Sequence, residues 1–415
     1  MRAGAAVVFV GPNPLPAMAS GLPAICQGGC GLSHDGRQPW SAFPQPRGRS
    51  TRELLRHPEV QARLRQSFEG LLTWKSSAEI EAIAHWLGLA LANSPARLAR
   101  RIENKAFFAE SAPAAGLPLP PTRAGRAGDE LVKACRELKP PLVFQLAHGF
   151  SGASTWRARE WEELMSLMEA HRGRSCRVSQ EVFGVPVTVT GVVQRERTLV
   201  GAPSLQLTGI PALTPHPLGS CGNDHLAPVP EQAAVAALAE RCGDWLRQLG
   251  HLGVFGLDLV VDAGQIWCIE VNPRLVASVP LFSLSASARS LPGLLDHHLA
   301  SFGLGRSKGD IPPCDWSQLI LYARAERAFS GEVEARTGRL TRVGRFQAEG
   351  RLNLDGPRPG QTGIVVQAQS RPGQELARVF HQGRVTGEDG ALLPALEQLC
   401  HQLRAELEPE GVSPA

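Results

Sequence analysis

The 415-residue sequence predicts an α/β protein, long enough for two or three domains. Three observations carry this. An apolar β-rich run at 5–10 is followed by helical periodicity over 52–69 and 77–91. The runs 176–194 and 254–272 are β-rich, and the second alternates apolar and polar residues, as half-buried strands do. Between them, residues 231–250 keep apolar side chains at helical spacing, the clearest amphipathic helix in the chain.

The elements follow in order. AAVVFV at 5–10 reads as a buried strand, followed by a Gly/Pro-rich loop to Gly31 and a polar, Pro-rich irregular segment at 32–50. In the second helical stretch Ser77 is the expected N-cap, and Ile80, Ile83, Ala84 and Leu87 form its apolar face. A third stretch, 95–112, is broken by AAGLPLPP. A short strand at 141–146, the loop HGFSGAST at 148–155 and a helix at 159–171 come next. Two β-rich runs, 176–183 and 185–194, pivot at Gly184. Gly, Pro, Asn and Asp clusters make 204–230 read as a long functional loop. Beyond Pro312-Pro313 the pattern predicts a helix or strand at 318–328, strands within 330–370 and a final helix near 391–406.

Composition narrows the class. Hydrophobic residues at 43% and charged residues at 20% exclude collagen-like, mucin-like and globally disordered chains. No run approaches ~18 apolar residues, so no membrane-spanning helix is expected. The net charge of +4 is spread along the chain and points to neither nucleic acid nor an anionic membrane. The nine cysteines show no CxxC and no zinc spacing, which suits reduced thiols and a cytoplasmic location. The amino end reads as a strand rather than a leader. Only five basic residues are lysine, so a lysine in a motif position carries weight.

The stretch VFGLDLVVDAGQIWCIEVNPR, 254–274, carries the most chemistry. Two hairpin registers are open. A two-residue turn at Ala263-Gly264 would set Leu257 opposite Glu270. A three-residue turn, 263–265, would pair Asp262 with Ile266 and set Asp258 opposite Glu270. The side-chain pattern favours the second. It gathers Leu257, Leu259, Val261, Trp267, Ile269 and Val271 on one face and leaves Asp258, Glu270 and Asn272 on the other. Two carboxylates and an amide oxygen on one face suit Mg²⁺, which keeps positions for water and phosphate. The plainer reading is a polar, solvent-facing hairpin, and Arg274 beside the acids argues against it because it can clamp an anion.

The same stretch resembles the C-terminal signature of the ATP-grasp superfamily, in the carboxylate–amine ligase and biotin-carboxylase-like branch. That resemblance implies Asp258, Glu270 and Asn272 as ligands for Mg²⁺ against ATP, with Arg274 beside an acyl-phosphate. Three further blocks precede it in family order. Asn104-Lys105-Ala106-Phe107-Phe108, followed by AGLPLP, resembles the segment whose lysine contacts ATP, here Lys105. PLVFQ at 141–145 with the following loop resembles the strand and phosphate loop, which implies Gln145, Gly149, Ser151 and Gly152 as ATP contacts. QEVFG at 180–184 resembles the adenine-side hinge, implying Gln180 and Glu181. One departure stands out. Gln145 occupies the place of a family lysine, so charge must come from another cation, His148 or an arginine, or turnover suffers. Independently of any family, Gly149 and Gly152 let backbone N–H groups approach phosphate closely.

The resemblance implies an ATP-grasp core at 101–310, a Rossmann-like N-terminal domain at 1–100 and a small α+β domain at 311–415. The activity implied is ligation of a small-molecule carboxylate to an amine through an acyl-phosphate. The alternatives are a non-catalytic ATP-binding regulator and a biotin-carboxylase-like carboxylating enzyme; no carrier-lysine motif supports the latter. His216, Asn223, Asp224 and His225 are candidates for an acceptor site. His297 and His298 read as helix surface, and the apolar C-terminal region makes a homodimer plausible.

Overall fold

The computed structural model describes residues 6–13, 15–26, 50–149, 152, 154–325, 327–328, 334–352, 355–367 and 369–408. Strand Val7–Gly11 is central in a parallel sheet, flanked by Ala24–Cys26 and Gly70–Leu72, with Ala90–Leu91 beyond. Its buried Val8 and Val10 pack against Leu54, Leu64 and Ile80 of the covering helices, a Rossmann-like unit. The helical stretch expected at 52–69 is two helices, Thr51–Arg56 and Pro58–Ser67. Pro58 cannot donate to the preceding turn, so the helix ends at His57 and restarts. Ser50 and Glu53 form a capping box on the first helix, and Ser77 caps helix Ala78–Leu87.

The 95–112 stretch divides for a related reason. Helix Ala96–Ile102 stops at Glu103, and the Asn104 side chain accepts from the N–H groups of Ala106 and Phe107, starting helix Lys105–Ser111. The restart turns Lys105 inward, only 4% exposed.

Two antiparallel sheets follow. The smaller has the order Thr122–Arg126, Ser175–Gln180, Leu142–Leu146, Thr155–Ala158, with Phe144, Val178 and Leu164 in its core. The larger has eleven strands among the described residues. Its first part is the hairpin Gly253–Asp262 and Gln265–Asn272, which adds onto Val185–Val193. Helix Gln232–Gln248 covers that part, burying Val235, Leu238, Cys242, Trp245 and Leu246.

The 204–230 region departs from expectation. It contains strands Ser204–Thr208 and Ser220–Asp224, paired antiparallel, so the connecting loop is only 209–219. Strand Ser220–Asp224 in turn pairs with Trp316–Tyr322, which pairs with Glu375–Gln382. The larger sheet therefore runs on without a break into the C-terminal third, where helix Pro394–Leu407 packs on it.

Asp224 is the joint. It is wholly buried, and its carboxylate accepts from the N–H groups of Leu226, Ala227, Val385 and Thr386 and from the hydroxyls of Ser317 and Thr386. His298 is a second joint, and the surface expected for His297 and His298 is instead interior. The His298 Nδ1 accepts from the Val254 N–H at 2.9 Å while Nε2 donates to the Ala92 carbonyl at 2.8 Å, tying the end of the N-terminal sheet to strand Gly253–Asp262 of the larger sheet. Among the described residues no helix is long and apolar enough to cross a membrane.

Candidate active site

The hairpin reaches its geometry by a route the sequence pattern did not suggest. The turn has two residues, Ala263 and Gly264, both at positive φ, and Asp262 pairs with Gln265. Taken alone that register would misplace Asp258. A bulge between Asp258 and Leu259 absorbs Ile269, so Leu259 faces Cys268 while Asp258 faces Glu270. The core face is accordingly Leu257, Leu259, Val261, Cys268 and Val271, with Ile266 packed at its margin. Trp267 and Ile269, expected on that face, are displaced to the other by the extra residue. Asp258 and Glu270 end side by side in a cleft of about 1180 Å³, between the smaller sheet and the larger one.

The two carboxylates are unequal. Asp258 accepts from Thr188 Oγ1 at 3.0 Å and Gln206 Nε2 at 2.9 Å, but no cation pairs with it among the described residues. Burial and the Glu270 charge push its carboxyl up to about 7. Glu270 pairs with the Lys105 ammonium at 2.7 Å. Burial alone would raise its carboxyl, but Lys105, with Arg177 and Arg274 behind it, outweighs burial and holds it below the usual range. Asn272 donates to Asp258 at 3.4 Å and its amide oxygen accepts from Arg274 at 2.9 Å. Arg274 is held further by Glu103 at 2.9 Å.

This arrangement fits a divalent cation. No three His, Cys, Asp or Glu side chains converge on one point among the described residues. Two carboxylates with one amide oxygen leave most positions open, as Mg²⁺ requires when phosphate and water complete its shell. The Asp258 carboxyl stays raised because the Thr188 hydrogen bond and the Arg274 and Lys105 charges only partly offset burial and the Glu270 charge.

On the opposite wall Gln145 lies across the smaller sheet from Arg177. Its Oε1 accepts from Arg177 Nε at 2.8 Å, and its Nε2 donates to Thr155 Oγ1 at 3.1 Å. Gly149 and Gly152 belong to the adjoining loop. A Cβ on Gly149 would fall 1.5 Å from Ser154 Oγ, and Gly152, at φ +79°, backs onto Gly219 so closely that a Cβ would lie 2.9 Å from its Cα. Gly152 lines the cleft, whereas Ser151 lies outside the described residues. Gln180 and Glu181 line the cleft beside Phe183 and Gly184. Glu181 accepts from Arg157 Nε at 2.9 Å through Oε1, while its buried Oε2 has no partner among the described residues, an acceptor left for a ligand donor.

Of the acceptor-site candidates, Asn223 lines the cleft and bonds Gln318 at 2.9 Å. Asp224 does not serve there, since its oxygens are consumed by the joint described above. His225 is half-buried with its ring edge-on to Phe282, and desolvation pushes its imidazole down to about 4. Sequence reasoning missed Arg177, Thr188, Gln206 and Glu103. Alternation in the 175–180 strand puts Arg177 on one face with Ser179, which was a usable signal; the others depend on pairing across sheets.

The profile of the ATP-grasp domain family matches residues 102–278, a span holding Lys105, Gln145, Glu181, Asp258, Glu270 and Arg274. The carbamoyl phosphate synthase large chain of Hyperthermus butylicus is 23% identical over 335 residues, 75% of this chain and 30% of the relative's length. The chain spans 18% to 30% of the curated relatives it matches. Among solved structures, phosphoribosylamine–glycine ligase from Thermotoga maritima superposes with a TM-score of 0.60 at 14% identity, covering 97% of this chain and 96% of that one. The biotin carboxylase domain of Hydrogenobacter thermophilus 2-oxoglutarate carboxylase, solved as a dimer with MgADP and bicarbonate, gives 0.61 at 12% identity, covering 92% and 87%. The likeness in fold thus extends well beyond the matched segment, and residues 102–278 are similar to the ATP-grasp domain family.

Proposed function

We propose that the chain is an ATP-dependent ligase that joins a small-molecule carboxylate to an amine. One observation carries the reading: Asp258 and Glu270 face each other at one end of a nucleotide-sized cleft, with Lys105 and Arg274 beside them, inside an ATP-grasp domain. The ligase activities named for the similar structures favour it.

In this reading the nucleotide lies along the cleft. Its base sits by Gln180, Phe183 and Gly184, where Glu181 Oε2 accepts a hydrogen bond from it. The backbone N–H groups of Gly149 and Gly152 and the Gln145 amide hold the phosphates. Asp258, Glu270 and the Asn272 amide oxygen would hold Mg²⁺, which supplies charge to the triphosphate oxygens. Lys105 orients Glu270 and the terminal phosphate. The substrate carboxylate oxygen bonds to the γ-phosphorus as the bond to ADP breaks, giving an acyl-phosphate. The amine nitrogen then bonds to the acyl carbon, inorganic phosphate leaves, and the nitrogen loses a proton. Arg274, fixed by Glu103, stabilises the anionic acyl-phosphate oxygens.

A thermal-shift titration with Mg·ATP tests the reading. A ligand at 100 times its Kd stabilises by roughly 2.7 kcal/mol. The expected result is a metal-dependent shift that Glu270→Gln removes, together with phosphate release in a pool of carboxylates and amines. A shift without phosphate release from any pool would instead favour a nucleotide-binding regulator.

A further inference from the structure

We propose that Arg177 is the cation that meets the nucleotide's phosphates on the Gln145 wall, with Gln145 and Thr155 aiming it. This rests on the nucleotide reading above and names a residue that reading leaves unused.

The guanidinium is 3% exposed and lines the cleft. Its Nε donates to Gln145 Oε1 at 2.8 Å and its Nη2 to the Ile269 carbonyl at 2.5 Å. Both acceptors are neutral. The other two cations at this end are committed to carboxylates, Lys105 to Glu270 and Arg274 to Glu103. Among the described residues no carboxylate lies within ion-pair distance of Arg177; Glu270 acts on it only from further away. An unpaired buried guanidinium is costly, and the cost is recovered when a ligand brings negative charge. Burial lowers its pKa only to about 10, so the charge persists at neutral pH.

The three side chains form a directed chain. Thr155 Oγ1 accepts from Gln145 Nε2, which fixes the amide so that its oxygen faces Arg177. A glutamine in the Leu142–Leu146 strand thus carries no charge itself but holds one that stands on the neighbouring strand, directly across from it. A guanidinium in that position offers phosphate a planar set of donors.

Arg177 also braces the bulge at Ile269, so the test must separate the two roles. Calorimetric titration with Mg·ADP and with adenosine, which lacks phosphates, does so. Arg177→Gln is expected to weaken Mg·ADP about 10- to 100-fold and leave adenosine within about twofold. Adding Gln145→Lys to that variant, which returns the charge from the other strand, is expected to recover most of the Mg·ADP affinity. If Arg177→Gln folds poorly, Arg177→Lys keeps the charge but not the planar donor set, and a loss of about 5- to 10-fold for Mg·ADP with adenosine within about twofold is expected. Unchanged Mg·ADP affinity in Arg177→Gln, or equal losses for both ligands in either variant, overturns the proposal and leaves Arg177 as a brace. A parent protein that binds neither ligand overturns the nucleotide reading itself.

Discussion

Asp224 and Asp258 stand on strands of the same sheet, both drawn out of solvent, and they behave in opposite ways. Asp224 accepts six hydrogen bonds, two of them from backbone N–H groups of the Val385–Thr386 segment. Burial alone would raise its carboxyl, but those donors outweigh burial and hold it below the ordinary range. Asp258 has two good donors and faces Glu270, and its carboxyl rises to about 7. A carboxylate saturated with donors belongs to the architecture. One with fewer donors, next to another acid, keeps its proton to a higher pH, and in the proposed reading a cation would take that proton's place. Residue type and burial alone do not separate the cases; the count of donors does.

The largest effect that would break this contrast is on stability. Asp224→Ala leaves four N–H groups and two hydroxyls without their acceptor, and the expected loss in urea denaturation is more than about 3 kcal/mol. Asp258→Asn relieves repulsion with Glu270, so it is expected to cost under about 1 kcal/mol, or to stabilise, while abolishing the metal-dependent shift with Mg·ATP. Equal stability losses in the two variants would end the distinction.

Acidity sharpens the comparison further. A carboxyl raised to about 7 keeps its proton in the folded state over pH 4–7, so in EDTA its contribution to stability falls as pH rises through that window, by up to about 1.4 kcal/mol per pH unit. Asp224 has the opposite sign. Its lowered pKa gives stability that is present above the unfolded carboxyl value and lost as pH falls through the folded one. Urea curves at pH 5 and 7.5 for the parent and Asp258→Asn isolate the first term, because the variant should lack that decline. Magnesium should bind more tightly as pH rises through about 7 and release close to one proton per ion; a pH-independent affinity would contradict the assignment.

The smallest effect concerns a single donor. Thr188→Val removes the 3.0 Å hydrogen bond to Asp258, and the proton-linked midpoint should rise while magnesium affinity at neutral pH drops about threefold. No change in either would mean that Gln206 alone sets the Asp258 environment.

Much of this was legible in the residues themselves. Alternation in 254–272 predicted the hairpin and the Asp258–Glu270 pairing, and the Ser77 cap and the 231–250 periodicity predicted helices close to those observed. The failures have physical causes. The hairpin turn was misjudged because a bulge, which no alternation pattern announces, restores the pairing after a two-residue turn. The 204–230 strands were hidden because each is short and the Gly/Pro-rich 209–219 segment dominates its composition. His298 read as surface because an apolar face on a short helix does not reveal a second face buried by a distant strand.

By itself the sequence determined the local periods, the breaks at Pro58 and Asn104 and the order of the chemistry-bearing blocks, because these depend on residues within a few positions of one another. Tertiary structure decided which charges meet. Arg177 beside Gln145, Glu103 on Arg274 and the Val385–Thr386 segment on Asp224 are pairings across 32, 171 and more than 160 residues. Donors and acceptors that far apart are matched by sheet registry and domain packing, and only those say whether a buried carboxylate is already satisfied or still requires a cation.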